Sequence, residues 1–137
     1  MTDMSEAHPP HPGWSERAFI ILVVEDEIPI RTMLLDCLEE HGFVVLEAEN
    51  AITAMQTVSY SDFAIDAVVT DLRMPGEIDG VGLMRWLRSS HPQIHIVVTS
   101  GTRREEIEGA CDGACIFTKP YDCDAVAAKL GELLDGA

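Results

Sequence analysis

A small set of polar residues stands out because each falls where a short apolar run ends. Glu25, Asp26 and Glu27 follow the run Phe19–Val24, Asp71 follows Ile65–Thr70, Thr99 and Ser100 close the run Ile94–Thr99, and Lys119 with Pro120 follows Ala114–Phe117. If those runs lie side by side, Glu25, Asp26 and Asp71 crowd together. Like carboxylates a few Å apart repel unless they are protonated or bridged. A hard cation with oxygen ligands removes the conflict, and Mg²⁺ accepts a few carboxylates with water completing its shell. The Lys119 ammonium can balance the remaining charge, and the Ser100 hydroxyl can reach an oxygen attached to Asp71. Such a pocket suits phosphoryl transfer, which depends on positioning and charge neutralisation. A carboxylate can itself be the nucleophile and become an aspartyl-phosphate.

Taken singly, each residue has an ordinary reading. Glu25 and Asp26 could be a solvated strand end, Asp71 could open a turn before Pro75, and Ser100 could cap a helix. Lys119 could be a surface lysine, although the chain has only one other, Lys129. The chemistry needs them together, so the elements that carry them must converge.

The apolar runs Phe19–Val24, Phe43–Ala48, Ile65–Thr70, Ile94–Thr99 and Ala114–Phe117 are rich in Val and Ile and mostly do not alternate with polar residues. That is the pattern of strands buried on both faces of a parallel sheet. Helical patterns lie between them. Ile30, Met33, Leu34, Cys37, Leu38 and His41 form one stripe, with Pro29 near its start and Gly42 as its stop. Asn50 can cap a second helix carrying Ala51, Ala54, Met55 and Val58. Val81, Met84 and Leu87 mark a third. Thr102 and Glu105 have capping-box spacing for a short, polar fourth, weakened by Gly109. Asp122 can cap a fifth, with Val126, Leu130, Leu133 and Leu134 inward. Five strands alternating with five helices predict an α/β fold. The expected form is a doubly wound, five-stranded parallel sheet with right-handed crossovers and helices on two faces. In such a sheet ligands collect beyond the carboxyl ends of the strands, where the polar residues above fall.

The bulk properties exclude several functions. The chain of 137 residues has the size of one domain, with 47 % apolar and 24 % charged residues. Lys plus Arg number 9 against 24 Asp plus Glu, a net charge of −15, which repels nucleic acid and anionic membranes. The apolar runs are too short to span a bilayer, and the N-terminus lacks the pattern of a secretory signal. A cytoplasmic location with reduced thiols is expected. Cys111, Cys115 and Cys123 are separated by three and seven residues. That is not zinc-site spacing, and no His completes it. Residues 1–17, with Pro9, Pro10, Pro12, His8, His11 and Trp14, read as a disordered tail, and residues 18–137 as the folded domain.

Glu25-Asp26-Glu27 after a Val-rich strand, Thr70-Asp71-Leu72-Arg73-Met74-Pro75-Gly76, Asp79-Gly80, Thr99-Ser100-Gly101 and Lys119-Pro120, in that order, resemble the response-regulator receiver domain of two-component signalling, in its single-domain form. The resemblance covers about residues 19 to 135. It implies the flavodoxin-like strand order 2-1-3-4-5 and a Mg²⁺ cofactor. Asp71 is implied as the phosphoacceptor and Asp26 as a direct Mg²⁺ ligand. Glu25 would act through water, and the Arg73 carbonyl would be a further ligand. Lys119 would pair with the phosphoryl oxygens and carry a cis bond to Pro120. Ser100 would be the hydroxyl switch, with Thr99 as its competitor; Gly101 after Ser100 fits the family pattern of hydroxyl then small residue.

Three positions depart from the family pattern. Ile116 stands where an aromatic is usual, with Phe117 one place later. The loop Gly76-Glu77-Ile78-Asp79-Gly80 is one residue longer than common. The segment from Ser100 to Lys119 is slightly short, which abbreviates the fourth helix.

The resemblance implies a switch, not an enzyme acting on other substrates, with no output domain of its own. A sensor histidine kinase or histidine phosphotransfer protein would donate the phosphoryl group to Asp71. A downstream protein, or a second copy pairing through the fourth helix, fifth strand and fifth helix, would read the result. The competing reading is a pseudo-receiver that binds partners without phosphate. A phosphohydrolase would place a second acid where Arg73 stands, and a flavin carrier would not place three acids after strand one.

Overall fold

The computed structural model describes residues 18–62, 64–74, 76–101, 107, 109, 111 and 114–135. Its strands are β1 (Ile20–Val24), β2 (Val44–Ala48), β3 (Ala67–Asp71), β4 (His95–Ser100) and β5 (Cys115–Thr118). The helices are α1 (Ile28–Glu40), α2 (Ala51–Tyr60), α3 (Gly80–Ser90) and α4 (Cys123–Asp135). All strand pairs are parallel, in the order β2-β1-β3-β4-β5.

Alternation along each strand divides the interior in two. Leu22, Val24, Val68, Ile96 and Val98 face α2 and α3, where Ala51, Ala54, Leu83, Met84 and Leu87 meet them. Ile21, Val23, Ala67, Val69 and Val97 face α1 and α4, against Leu34, Leu38, Val126, Ala127 and Leu130. Burying one Leu side chain stabilises by about 2 kcal/mol, whereas a helix cap contributes about 1 kcal/mol. The two apolar layers therefore decide where the helices lie, and the caps decide where they begin. Asn50 Oδ1 accepts from the Thr53 N–H at 2.8 Å, and Asp79 Oδ1 from the Gly82 N–H at 3.1 Å. Asp122 Oδ1 accepts from the Asp124 N–H at 2.9 Å.

The sequence expectations hold in order and differ in detail. β3 and β4 each run one residue further than the apolar pattern, so that Asp71 and Ser100 are themselves strand residues. Met33, expected on the inner stripe of α1, is 43 % exposed. The short fourth helix expected from Thr102 falls largely on positions outside the described residues, as do Pro75 and the proposed tail. Ile107, which is described, is helical and buried. The expected fifth helix is α4.

Gly80, the first residue of α3, is fixed by what lies against it. A Cβ there would stand 2.2 Å from the Asp71 carbonyl oxygen and 2.7 Å from Leu72 Cα, and backbone cannot yield as a side-chain tip does. We expect Gly80→Ala to lower stability in urea unfolding by about 3 kcal/mol. Gly101→Ala, where a Cβ meets nothing within 4 Å, should change it by less than about 0.5 kcal/mol.

Candidate functional site

The winding of the sheet changes direction between β1 and β3, with β2 added on one side of β1 and β3 on the other, which opens a crevice at their carboxyl ends. Both strands deliver acids there. Glu25 follows β1 directly, its N–H bonded to the Ala48 carbonyl of β2 at 3.1 Å. Asp71 ends β3 beside Thr99 of β4 in register. Glu25 is 1 % and Asp71 7 % exposed, while Asp26 remains open to solvent. One carboxylate oxygen from each of Glu25, Asp26 and Asp71 lies within 4.8 Å of the others.

Lys119 closes the site from the end of β5. Its Nζ donates to Asp71 Oδ2 at 3.0 Å and to Glu25 Oε1 at 3.4 Å. Its backbone N–H donates to the Ser100 carbonyl at 2.7 Å, and the bond to Pro120 is cis. The other oxygens of the two buried acids are also held. Asp71 Oδ1 accepts from the Arg73 N–H at 3.3 Å, and Glu25 Oε2 from the Glu27 N–H at 3.1 Å. Thr99 and Ser100 are each 1 % exposed at the end of β4.

Three carboxylates face one ammonium, which leaves two negative charges uncompensated if all are ionised. Burial pushes the Glu25 carboxyl above its ordinary range; the Glu27 N–H pulls it down, and the charge of Asp71 raises it further. Burial alone would lower the Lys119 ammonium, but its hydrogen bond to Asp71 and the charges of Asp71 and Glu25 outweigh that and raise it. An all-oxygen donor set with excess negative charge fits a small hard divalent cation.

The structure thus brings Glu25, Asp26, Asp71 and Lys119 together, with Arg73, Thr99 and Ser100 at the ends of β3 and β4. Three further residues belong to the surroundings; Gly80 was read from the sequence only as part of the Asp79-Gly80 motif, and Arg31 and Tyr121 were not singled out. Arg31 donates from Nη1 to the Glu25 carbonyl at 2.7 Å and from Nε to Glu47 Oε1 at 2.8 Å, tying β1 to β2 and α1. Its position in the first turn of a helix, where the dipole disfavours a cation, was the available signal. Gly80 abuts the Asp71 backbone. Tyr121 packs edge-on to Phe117 with ring centroids 6.4 Å apart. Its hydroxyl is buried and finds no hydrogen-bond partner among the described residues. Burial, then the charges of Glu25 and Asp71, raise its pKa.

Comparison with known proteins agrees with this geometry. Residues 21–130 match the family model described as the response regulator receiver domain. Chemotaxis protein CheY of Bacillus subtilis is 33 % identical over 119 residues, covering 84 % of this chain and 97 % of that protein. Sensor kinase CckA of Brucella abortus (strain 2308) is 30 % identical over 118 residues, 84 % of this chain but 12 % of the kinase. The chain spans about half the length of several transcriptional regulatory proteins it also matches. Response regulator TrrA of Thermotoga maritima, solved in complex with Mg²⁺ and BeF, superposes with a TM-score of 0.71 at 28 % identity, covering 84 % of this chain and 98 % of that one. The chain belongs to the response regulator receiver domain family, the signalling modules of two-component systems. Among the described residues, no helix is long and apolar enough to cross a membrane.

Glu25 offers a test of the electrostatics. A group whose folded pKa is raised contributes stability at low pH that is lost as pH rises through that value. Gln keeps the oxygen that accepts from Glu27 and never ionises. In metal-free buffer near neutral pH, Glu25→Gln should therefore raise the thermal midpoint above that of the wild type. The gain should shrink as pH falls through the raised Glu25 value. A gain that grows on acidification would contradict the assigned cause.

Proposed function

We propose that this chain is a phosphorylation-dependent switch whose acceptor is Asp71. The observation that carries this reading is the position of the Lys119 ammonium, 3.0 Å from Asp71 and 3.4 Å from Glu25, opposite three clustered carboxylates. A sensor histidine kinase or histidine phosphotransfer protein is the donor. An Asp71 carboxylate oxygen attacks the phosphorus in line, an acyl phosphate bond forms, and the phosphorus–nitrogen bond to the donor histidine breaks.

Asp26, Asp71 and the Arg73 carbonyl would hold Mg²⁺, with Glu25 acting through water. When bound, the ion neutralises the acids and the transferring phosphoryl oxygens. The Arg73 N–H keeps the Asp71 carboxylate oriented, and Lys119 pairs with a phosphoryl oxygen as its contact to Asp71 loosens. Ser100 donates its hydroxyl to the new phosphoryl group. Thr99 is the competing donor, because it stands beside Asp71 in register. Lys119 and Ser100 share a backbone hydrogen bond, so movement at either is felt at β5 and the start of α4. That surface is what a downstream protein or a second copy would read. Ile116 is buried and Phe117 half-buried against Tyr121, so any aromatic relay here starts from a different ring than is usual for the family.

Incubation with Mg²⁺ and acetyl phosphate should add one phosphoryl group by intact mass. Asp71→Asn or removal of divalent cations should abolish the gain, and Lys119→Ala should slow it about 100-fold. Undiminished phosphorylation of Asp71→Asn would overturn the assignment. Equal capture of a partner by the wild type and Asp71→Asn would favour a phosphate-independent binding module. Ser100→Ala should remain phosphorylatable and lose phosphate-dependent capture; that loss in Thr99→Ala instead would transfer the switch role to Thr99.

A further inference from the structure

On the face of the sheet covered by α1 and α4, a second group of ligand atoms converges away from the acidic pocket. Cys37 lies in the last turns of α1 and His41 caps that helix, one turn apart on one side. Asp124 stands in the first turn of α4. One Asp124 atom, Oδ1, is 3.5 Å from Cys37 Sγ and 3.6 Å from His41 Nε2, and one ligand atom from each of the three residues lies within 4.8 Å of the others.

We propose that Cys37, His41 and Asp124 form a binding site for a borderline-soft divalent cation, Zn²⁺ first, that ties α1 to α4. Two independent features carry this beyond a hydrogen-bonded contact. The first is the spacing. Tetrahedral coordination with sulfur at about 2.3 Å and nitrogen or oxygen at about 2.0 Å separates neighbouring donors by about 3.3–3.5 Å; the Asp124–Cys37 and Asp124–His41 separations lie within a few tenths of an ångström of that. The second is the histidine. His41 Nδ1 lies 2.9 Å from the Cys37 carbonyl oxygen, to which it can only donate, and Nε2 is the ring nitrogen turned toward Asp124. A backbone carbonyl fixing one ring nitrogen so that the other can ligate is the usual support of a metal-bound imidazole.

The site has an entry path, since the side chains of His41 and Asp124 are 40 % and 72 % exposed. Binding replaces the Cys37 thiol proton by a sulfur–metal bond and releases that proton to solvent. Water takes the fourth position. A thiolate is a poor Mg²⁺ ligand and a good Zn²⁺ one, so this site and the acidic pocket select different ions.

The test uses the reduced full chain with excess Mg²⁺ present, titrated with Co²⁺ as a spectroscopic substitute for Zn²⁺. One equivalent should produce a near-ultraviolet thiolate-to-cobalt band and visible bands of tetrahedral intensity, both removed by added Zn²⁺. Asp71→Asn should keep them. His41→Gln and Asp124→Asn, at exposed positions that leave the core intact, should each weaken Co²⁺ binding at least about tenfold, and Cys37→Ser should remove the near-ultraviolet band. No band in the wild type, or a band unmoved by His41→Gln, would overturn the proposal.

Discussion

The arrangement depends on burying two carboxylates against one ammonium at the switch point of a parallel sheet. Glu25 and Asp71 are almost wholly withdrawn from solvent. An isolated buried carboxylate would be very costly, and removing one partner of a buried pair typically destabilises by several kcal/mol. Lys119 makes the burial tolerable by donating to both acids at once. One ammonium cannot neutralise three carboxylates, and the excess is what makes the pocket a receptor for added positive charge. Burial, reinforced by the charge of Asp71, keeps Glu25 reluctant to ionise. Stability and ligand affinity are thus opposed at this point, and apolar burial elsewhere offsets the cost.

That offset comes from the strands which carry the acids. β1, β3 and β4 are buried almost throughout, so each must satisfy its backbone groups through neighbouring strands. The ladder continues past the regular strands: Glu25 N–H to Ala48 O, Leu72 N–H to Thr99 O, and Lys119 N–H to Ser100 O. These bonds fix the backbone of the residues flanking the site, and Gly80 packs against the Asp71 carbonyl. A carboxylate placed on so constrained a backbone has little freedom to retreat when charge is added. The response must then come from parts held less tightly.

Most of this frame was legible in the sequence because its cause is local. Unalternating Val and Ile runs follow from two-sided burial, and caps such as Asn50 and Asp122 follow from unsatisfied helix N–H groups. Strand ends were legible only to within one residue, since Asp71 and Ser100 are polar yet still pair in the sheet. Register and cross-strand contacts were not. The place of Arg31 in a helix first turn marks it as unusual without naming the Glu25 carbonyl as its partner, and Gly80 looks like a motif glycine until the Asp71 backbone is set beside it. Cys37 and His41 read as members of an apolar stripe. Cysteine spacing does not reveal that they meet Asp124, because that residue is supplied by another helix.

α4 has a particular place in this design. The chain passes from the Lys119 ammonium to the first turn of α4 in four residues, through Pro120, Tyr121 and the Asp122 cap. Tyr121 packs on Phe117 of β5, while Asp124 meets Cys37 and His41 of α1. The helix therefore starts between two electrostatic neighbourhoods, one acidic and hard, the other containing sulfur and imidazole. Any shift of Lys119 away from Asp71 is applied close to a helix start whose opposite side is held by α1. The apolar layer of Val126, Ala127 and Leu130 beneath it is close-packed, and such layers move between discrete arrangements more readily than they deform. The short connection from Lys119 makes the start of α4 a natural lever, and its contact with α1 sets how freely that lever swings.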